Sequence, residues 1–249
     1  MNRTNGLRVA VLRHETETGL GAFRGLLDDA GVDYQPFLTH DETQLPDPAD
    51  FDGVIVLGGS PAAHDPALIG TRRWIRDAVL RDVPFLGVCL GGQLLATALG
   101  GLVGPASAPE VGTHDVFLTS GGRRDPLFAG LPGRFQVFGW HEDEFELPRG
   151  AIPLAGSIAC EHQAFRFGSS AYGLQFHPEV RPDDLGRWAS VPGYTDLLDR
   201  SGAGWEDMTS ELAAAIPDLD ALARKLLERW LDLATHGLAV RERRTRVAV

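Results

Sequence analysis

The chain has 249 residues, 23 of them basic and 34 acidic, for a formal net charge of −11. That balance argues against nucleic acid or a membrane surface as partner, and two cysteines exclude a disulfide scaffold or a multi-cysteine zinc site. The opening segment lacks an apolar core of signal-peptide length and no later run approaches a membrane span, so a soluble, reduced, cytoplasmic α/β protein is expected.

Arg8–Arg13 reads as a buried strand and Gly19–Ala30 as a helix stopped by Gly31. Gly53–Leu57 is a second strand, running into Gly58-Gly59-Ser60-Pro61. Gly70–Arg81 is helical, Pro84–Val88 is a strand, and Leu90–Leu99 is a helix closed by Gly100-Gly101. Strand and helix alternating at this spacing predict a mostly parallel sheet covered on both faces, a three-layer sandwich. Candidate strands at 113–119, 134–138, 151–158, 161–167 and 171–176 have no full helices between them, which predicts an antiparallel extension of the sheet. The last seventy or so residues turn helical. Leu219, Leu222, Leu226, Trp230 and Leu233 form an apolar stripe, with Pro217, Asp218 and Asp220 as a helix start. This helix is expected to pack on the body, with a frayed tail after Leu238 that carries four arginines and one glutamate. The expected division is a main domain over 1–190 and a helical extension over 191–249.

The sharpest feature is Gly87-Val88-Cys89-Leu90-Gly91, between a strand and a helix, in the form of a nucleophile elbow with cysteine in place of serine. A strand that turns directly into a helix brings backbone against backbone, so glycines two before and two after the nucleophile have a physical reason. The helix N-terminus favours a thiolate and makes the Leu90 N–H a natural oxyanion donor. A bland reading keeps Cys89 as a small buried hydrophobe. Against it stands a later strand, Tyr172–Phe176, that delivers His177-Pro178-Glu179 at its end. A thiol nucleophile needs a base within reach and the base an orienting acceptor, and His177 and Glu179 leave the same strand end. None of the other histidines, at 14, 40, 64, 114, 141, 162 and 236, has so ordered a setting.

The segments Pro84–Gln93 and Gly173–Glu179, with Val56-Leu57-Gly58-Gly59-Ser60-Pro61, resemble the triad (class I) glutamine amidotransferases over about residues 8–182. Glu110-Val111-Gly112, Trp140-His141 and Gln163-Ala164-Phe165 resemble its stand-alone, GMP-synthase-like branch. The resemblance implies a flavodoxin-like fold and a set of roles. Cys89 attacks the side-chain amide of glutamine to form a γ-glutamyl thioester. His177 moves the protons, and Glu179 orients His177. Gly59 and Leu90 form the oxyanion hole, and Gly58, Gln93 and His141 lie against the substrate. It implies no metal and no organic cofactor. Two departures stand out. Gly92 occupies a position where many members have histidine, which bears on partner docking. Ser60-Pro61-Ala62-Ala63 replaces the usual Gly-Gly-Pro-x-Ser continuation of GMP synthases.

The leading expectation is a stand-alone glutamine amidotransferase that releases ammonia to a separate acceptor synthetase. A close rival cleaves other γ-glutamyl amides, such as γ-glutamyl peptides, with the same triad. A third is a non-catalytic regulatory subunit that keeps the fold. Oligomeric state is left open. Three weaker signals are set aside. Gly19–Gly25 misses the dinucleotide-loop spacing by one position, and Ser120–Asp125 is expected to be a hairpin turn. Glu142, Asp143 and Glu144 around His141 are expected to form a solvated loop and not a cation site. Cys160 is expected in the core of a strand.

Overall fold

Short β-branched runs assemble into a nine-stranded mixed sheet in the computed structural model, which describes residues 4, 6–39 and 45–247, with side chains as far as residue 238. In chain order the strands and helices are β1 (Arg8–Arg13), α1 (Ala22–Asp29), β2 (Asp33–Leu38), β3 (Gly53–Val56), α2 (Ile69–Leu80), β4 (Phe85–Val88), α3 (Leu90–Ala98), β5 (Val103–Leu118), β6 (Arg134–Phe145), β7 (Ile152–Gly156), β8 (Ala164–Phe167), β9 (Ala171–Leu174), α4 (Pro182–Trp188), α5 (Pro192–Ser201) and α6 (Trp205–Val247). The sheet order is β2-β1-β3-β4-β9-β8-β7-β5-β6. Strands β2, β1, β3, β4 and β9 pair in parallel, and β8, β7, β5 and β6 continue the sheet antiparallel. This is the α/β sandwich that the alternation predicts, a parallel sheet continued by an antiparallel extension that makes up half of its strand pairings.

Alternate side chains of the parallel strands enter two cores. Val9, Val11, Ile55, Leu57, Leu86 and Val88 pack under α1 and the second half of α6. Ala10, Leu12, Val54, Val56 and Phe85 pack under α2 and α3. A third cluster joins Phe138 and Trp140 of β6 to Trp188, Tyr194, Leu197, Met208 and Leu212 from the last three helices. It lies over the carboxyl ends of the parallel strands, where open α/β sheets place their ligands.

Several boundaries differ from the sequence expectation. Helix α1 starts at Ala22 because Gly21 takes φ +46°. Strand β2 carries no sequence signal of its own: it is an edge strand with Pro36 in its middle and no fully buried side chain. Strands β5 and β6 are longer than expected, and Glu142, Asp143 and Glu144 belong to β6 and not to a loop. Ser120–Asp125 carries a single 3-10 turn in the connection between those two strands. Cys160 is buried as expected but sits in the bend between β7 and β8. Helix α6 begins at Trp205 and runs through Pro217. An interior proline costs roughly 3 kcal/mol. The buried stripe Met208, Leu212, Ala215, Leu219, Leu222, Leu226 and Trp230 continues on both sides of it and keeps one helix. The assigned helix extends to Val247. His40 lies outside the described residues.

Trp230 is fully buried and lies across Gly53, where a Cβ would come within 2.7 Å of the indole ring. This one side chain fastens α6 to the bare start of β3. Trp230→Ala is expected to lower unfolding free energy by about 3–5 kcal/mol, read from the urea midpoint at unchanged slope. A loss below about 1 kcal/mol would contradict that packing role.

Candidate active site

The site begins with an enforced turn. Cys89 is one of two described non-glycine residues at positive φ, with φ +49° and ψ −110°, a conformation that costs on the order of 1–3 kcal/mol. It persists because β4 passes straight into α3 with no room to relax. A Cβ on Gly87 would come within 2.4 Å of the Gly91 carbonyl oxygen, and one on Gly91 within 2.1 Å of the Val56 carbonyl oxygen. Gly92 is equally confined: a Cβ there would lie 2.6 Å from the Leu174 carbonyl oxygen. That position is therefore buried against β9, and the departure at Gly92 concerns packing beneath the site, not an outward docking face. The Cys89 N–H donates to Leu174 O at 2.8 Å, which ties the elbow to β9.

Strand β9 then delivers Gln175, His177 and Glu179 at steps of two. His177 N–H donates to Phe138 O at 2.8 Å, and Ala22 N–H donates to Glu179 O at 2.7 Å, so both backbones are anchored. Gly21 is required at that second anchor, since a Cβ would lie 2.0 Å from the Glu179 carbonyl oxygen. The Gly-rich turn that resembles a dinucleotide loop thus serves to let α1 reach Glu179.

His177 Nδ1 lies 2.8 Å from Glu179 Oε1, with both side chains buried. A Cβ on Gly58 would lie 2.7 Å from His177 Cε1, 3.6 Å from His177 Nε2 and 3.4 Å from Cys89 Cβ. Gly58 is therefore the bare floor over which the imidazole and the cysteine meet. Burial alone would push the imidazole pKa down. The negative charges of Glu179, hydrogen-bonded at Nδ1, and of the nearby sulfur outweigh it and carry the ring up to about 10. At neutral pH the ring holds its proton beside the sulfur.

Gln175 Nε2 donates toward Cys89 Sγ at 3.7 Å, and its Oε1 accepts from Gln93 Nε2 at 3.3 Å. Gln93 Nε2 also donates to Asp143 O at 3.2 Å. Beside the sulfur is a pocket of about 120 Å³ lined by Gly59, Ser60, Gln93, Trp140, His141 and Tyr194, among others. Leu90 opens α3 directly after Cys89, where the first N–H groups of a helix lack intrahelical partners. Gly59 faces the same space, backed by His14, whose Cβ leaves no room for a side chain at 59.

His141 lines this pocket, with both ring nitrogens turned toward other residues. Its Nδ1 is 3.0 Å from Asp143 O and its Nε2 is 3.1 Å from Glu110 Oε2. His141 thus stands where the sequence places it, at the rim of the pocket, and borders it with the carbon side of its ring.

Three parts of the site escape the sequence reading. Gln175 looks like a plain strand residue, although its step of two from His177 puts it on the sulfur's side. Trp188 packs on His177 at 4.9 Å between ring centroids and stacks on Tyr194 at 5.1 Å, which shields the imidazole from water. Glu15 accepts from Ser60 N–H at 3.2 Å and Ser60 Oγ at 2.7 Å, which fixes the loop after Gly59. Burial, reinforced by the charge of Glu15, pushes the Tyr194 hydroxyl well above its ordinary pKa, so it stays protonated.

The family model of class-I glutamine amidotransferases matches residues 27–187. The glutamine amidotransferase-like protein YfeJ of Salmonella typhimurium is 33% identical over 181 residues, 70% of this chain and 76% of that protein. A glutamine-hydrolyzing GMP synthase subunit from Natronomonas pharaonis is 35% identical over 165 residues, 64% of this chain and 82% of the relative. Among solved structures, a glutamine amidotransferase from Thermotoga maritima superposes with TM-score 0.81 at 31% identity, over 91% of this chain and 99% of that one.

His177 titration tests the electrostatics of the site. Because folding raises this pKa, the ring's contribution to stability is present in full below its ordinary value of 6.5 and is lost as pH climbs through about 10. In an imidazole NMR titration, Glu179→Gln is expected to move the His177 midpoint down toward the ordinary range, and Cys89→Ser is expected to move it down by less. A midpoint unmoved by Glu179→Gln would contradict the charge account.

Proposed function

The chain belongs to the class-I glutamine amidotransferase family, and from that premise we propose that Cys89, His177 and Glu179 hydrolyse a γ-glutamyl amide through a cysteinyl thioester. The carrying observation is a sulfur at a positive-φ elbow facing an imidazole whose far nitrogen is held by a buried carboxylate. The Cys89 sulfur attacks the side-chain carbonyl carbon of glutamine, and the Leu90 and Gly59 N–H groups receive the oxyanion. The protonated His177 Nε2 then gives its proton to the departing nitrogen, and ammonia leaves as the thioester forms. The now neutral ring takes a proton from water, whose hydroxide attacks the thioester. Glutamate is released, the sulfur is restored as thiolate, and His177 is left protonated. Gln175 supports the sulfur's negative charge by donating to it, and Gln93 borders the substrate.

The preferred amide is that of free glutamine, with ammonia passed to a separate acceptor synthetase docked at the pocket mouth. Family membership and a relative that is one subunit of a glutamine-hydrolyzing GMP synthase support this reading. Residues 191–249 are proposed to belong to the same folding unit. Support comes from α5, which sets Gly193 against Ser60 with no room for a Cβ (2.9 Å), and from Trp230 on Gly53.

A panel of glutamine, γ-glutamyl peptides and asparagine, assayed for glutamate and ammonia, tests the reading. Glutamine is expected to be the best substrate, with Cys89→Ala at least about 10⁴-fold slower and Glu179→Gln about 10²–10⁴-fold slower at preserved fold. γ-Glutamyl peptides turning over faster than glutamine would reassign the substrate. Wild-type turnover matched by Cys89→Ala would overturn the mechanism.

A further inference from the structure

We propose that Glu110, His114 and His141 form a binding site for a divalent transition-metal ion of the Zn²⁺ class, distinct from the triad and built into the β5–β6 hairpin. Glu110 and His141 are directly opposed across the two strands, and His114 lies on the same face of β5, at a step of four from Glu110. The two Nε2 atoms converge on one carboxylate oxygen: Glu110 Oε2 is 3.1 Å from His141 and 3.5 Å from His114. All three donor atoms lie within 4.8 Å of one another. Metal–nitrogen and metal–oxygen bonds of about 2.0–2.1 Å place neighbouring donors of a tetrahedron roughly 3.3 Å apart, and the two carboxylate–imidazole separations match that spacing.

The orientation of the rings points the same way. Nδ1 of His141 is 3.0 Å from Asp143 O, and Nδ1 of His114 is 3.4 Å from Gly112 O. A carbonyl only accepts, so each Nδ1 carries a hydrogen, and Nε2 is the ring nitrogen that each histidine turns toward the carboxylate. Neither Nε2 makes a hydrogen bond, although both are buried. An ion held between them would give both nitrogens and the carboxylate one shared partner. A backbone acceptor on the far nitrogen is also how ligating histidines are held. The carboxylate is oriented in the same manner, with Ser157 Oγ donating to Oε1 at 2.6 Å and Gln163 Nε2 donating to Oε2.

The strands have also cleared space for this cluster. Gly112 and Gly139 are opposed in the register, and a Cβ on Gly139 would lie 2.6 Å from His114 Cε1. With an alanine there the His114 ring could not fold back toward Glu110. The His114 side chain is 17% exposed, which gives an ion a way in. The bound ion pins β6 beside the catalytic pocket, since Asp143 O holds both His141 and Gln93.

The test uses the full chain, stripped with chelator and titrated with Zn²⁺ by calorimetry and with Co²⁺ by absorption. One ion per chain is expected, with Co²⁺ bands of a nitrogen–oxygen set and no thiolate charge-transfer band, unchanged in Cys89→Ser. His114→Gln is expected to weaken binding at least about tenfold and to abolish the Zn²⁺-dependent rise in Tm. X-ray absorption of the loaded wild type reads the ligand atoms without any variant. No ion retained by wild type beyond His114→Gln, or a sulfur ligand, would overturn the proposal. It would leave an imidazolium–carboxylate cluster, or an ion at the nucleophile. Because binding and not hydrolysis is read, this outcome is separate from that of the substrate panel.

Discussion

The structure depends on one close approach, where β4 passes into α3 with backbone lying on backbone. Gly87, Gly91 and Gly92 have no room for a Cβ, and the strain of that turn falls on Cys89 at positive φ. Because its neighbours cannot move, the sulfur cannot retreat into the core as a buried cysteine ordinarily would. Cys160 is the contrast. It too is buried, but it sits in a hydrogen-bonded bend near acidic groups, and burial pushes its thiol pKa far up, so it stays an inert thiol. Under the proposed mechanism the same residue type thus takes opposite roles according to what the backbone permits.

The imidazole is held by a second set of constraints from four directions. Strand β9 aims it, Glu179 fixes its Nδ1, Gly58 clears its path to the sulfur, and Trp188 covers its outer face. In a dry setting a carboxylate and a sulfur charge act strongly on the ring. That is why the pKa rises despite a burial penalty that would otherwise lower it. The helices after β9 thus complete the site, because their aromatic side chains make the electrostatics effective.

The candidate active site is legible in the sequence because its rules are local. An elbow needs glycines at fixed offsets, and His177 and Glu179 share one strand end, so both show in short stretches of chain. The parallel strands are buried on both faces and read as plain apolar runs. What escapes reading depends on partners distant in the chain. Strand β2 holds Pro36 and exposed polar residues, and only its pairing with β1 makes it a strand. Strand β5 begins among Pro105, Pro109 and several glycines, and its register shifts between Pro105 and Glu110. Pro217 looks like a helix start, yet burial of one stripe on both sides carries α6 through it. His141 is legible as part of the active-site rim, but its neighbour Glu110 is not, because it lies across the hairpin.

The central claim is that one sulfur, and not the other, is held ready beside a charged imidazole. Intact-mass and peptide analysis after exposure to a glutamine-analogue electrophile tests it most directly. The account predicts a single adduct on Cys89, none on Cys160, and a rate that collapses when His177 is replaced by alanine. Equal labelling of both cysteines, or labelling of Cys89 that is indifferent to His177, would contradict it.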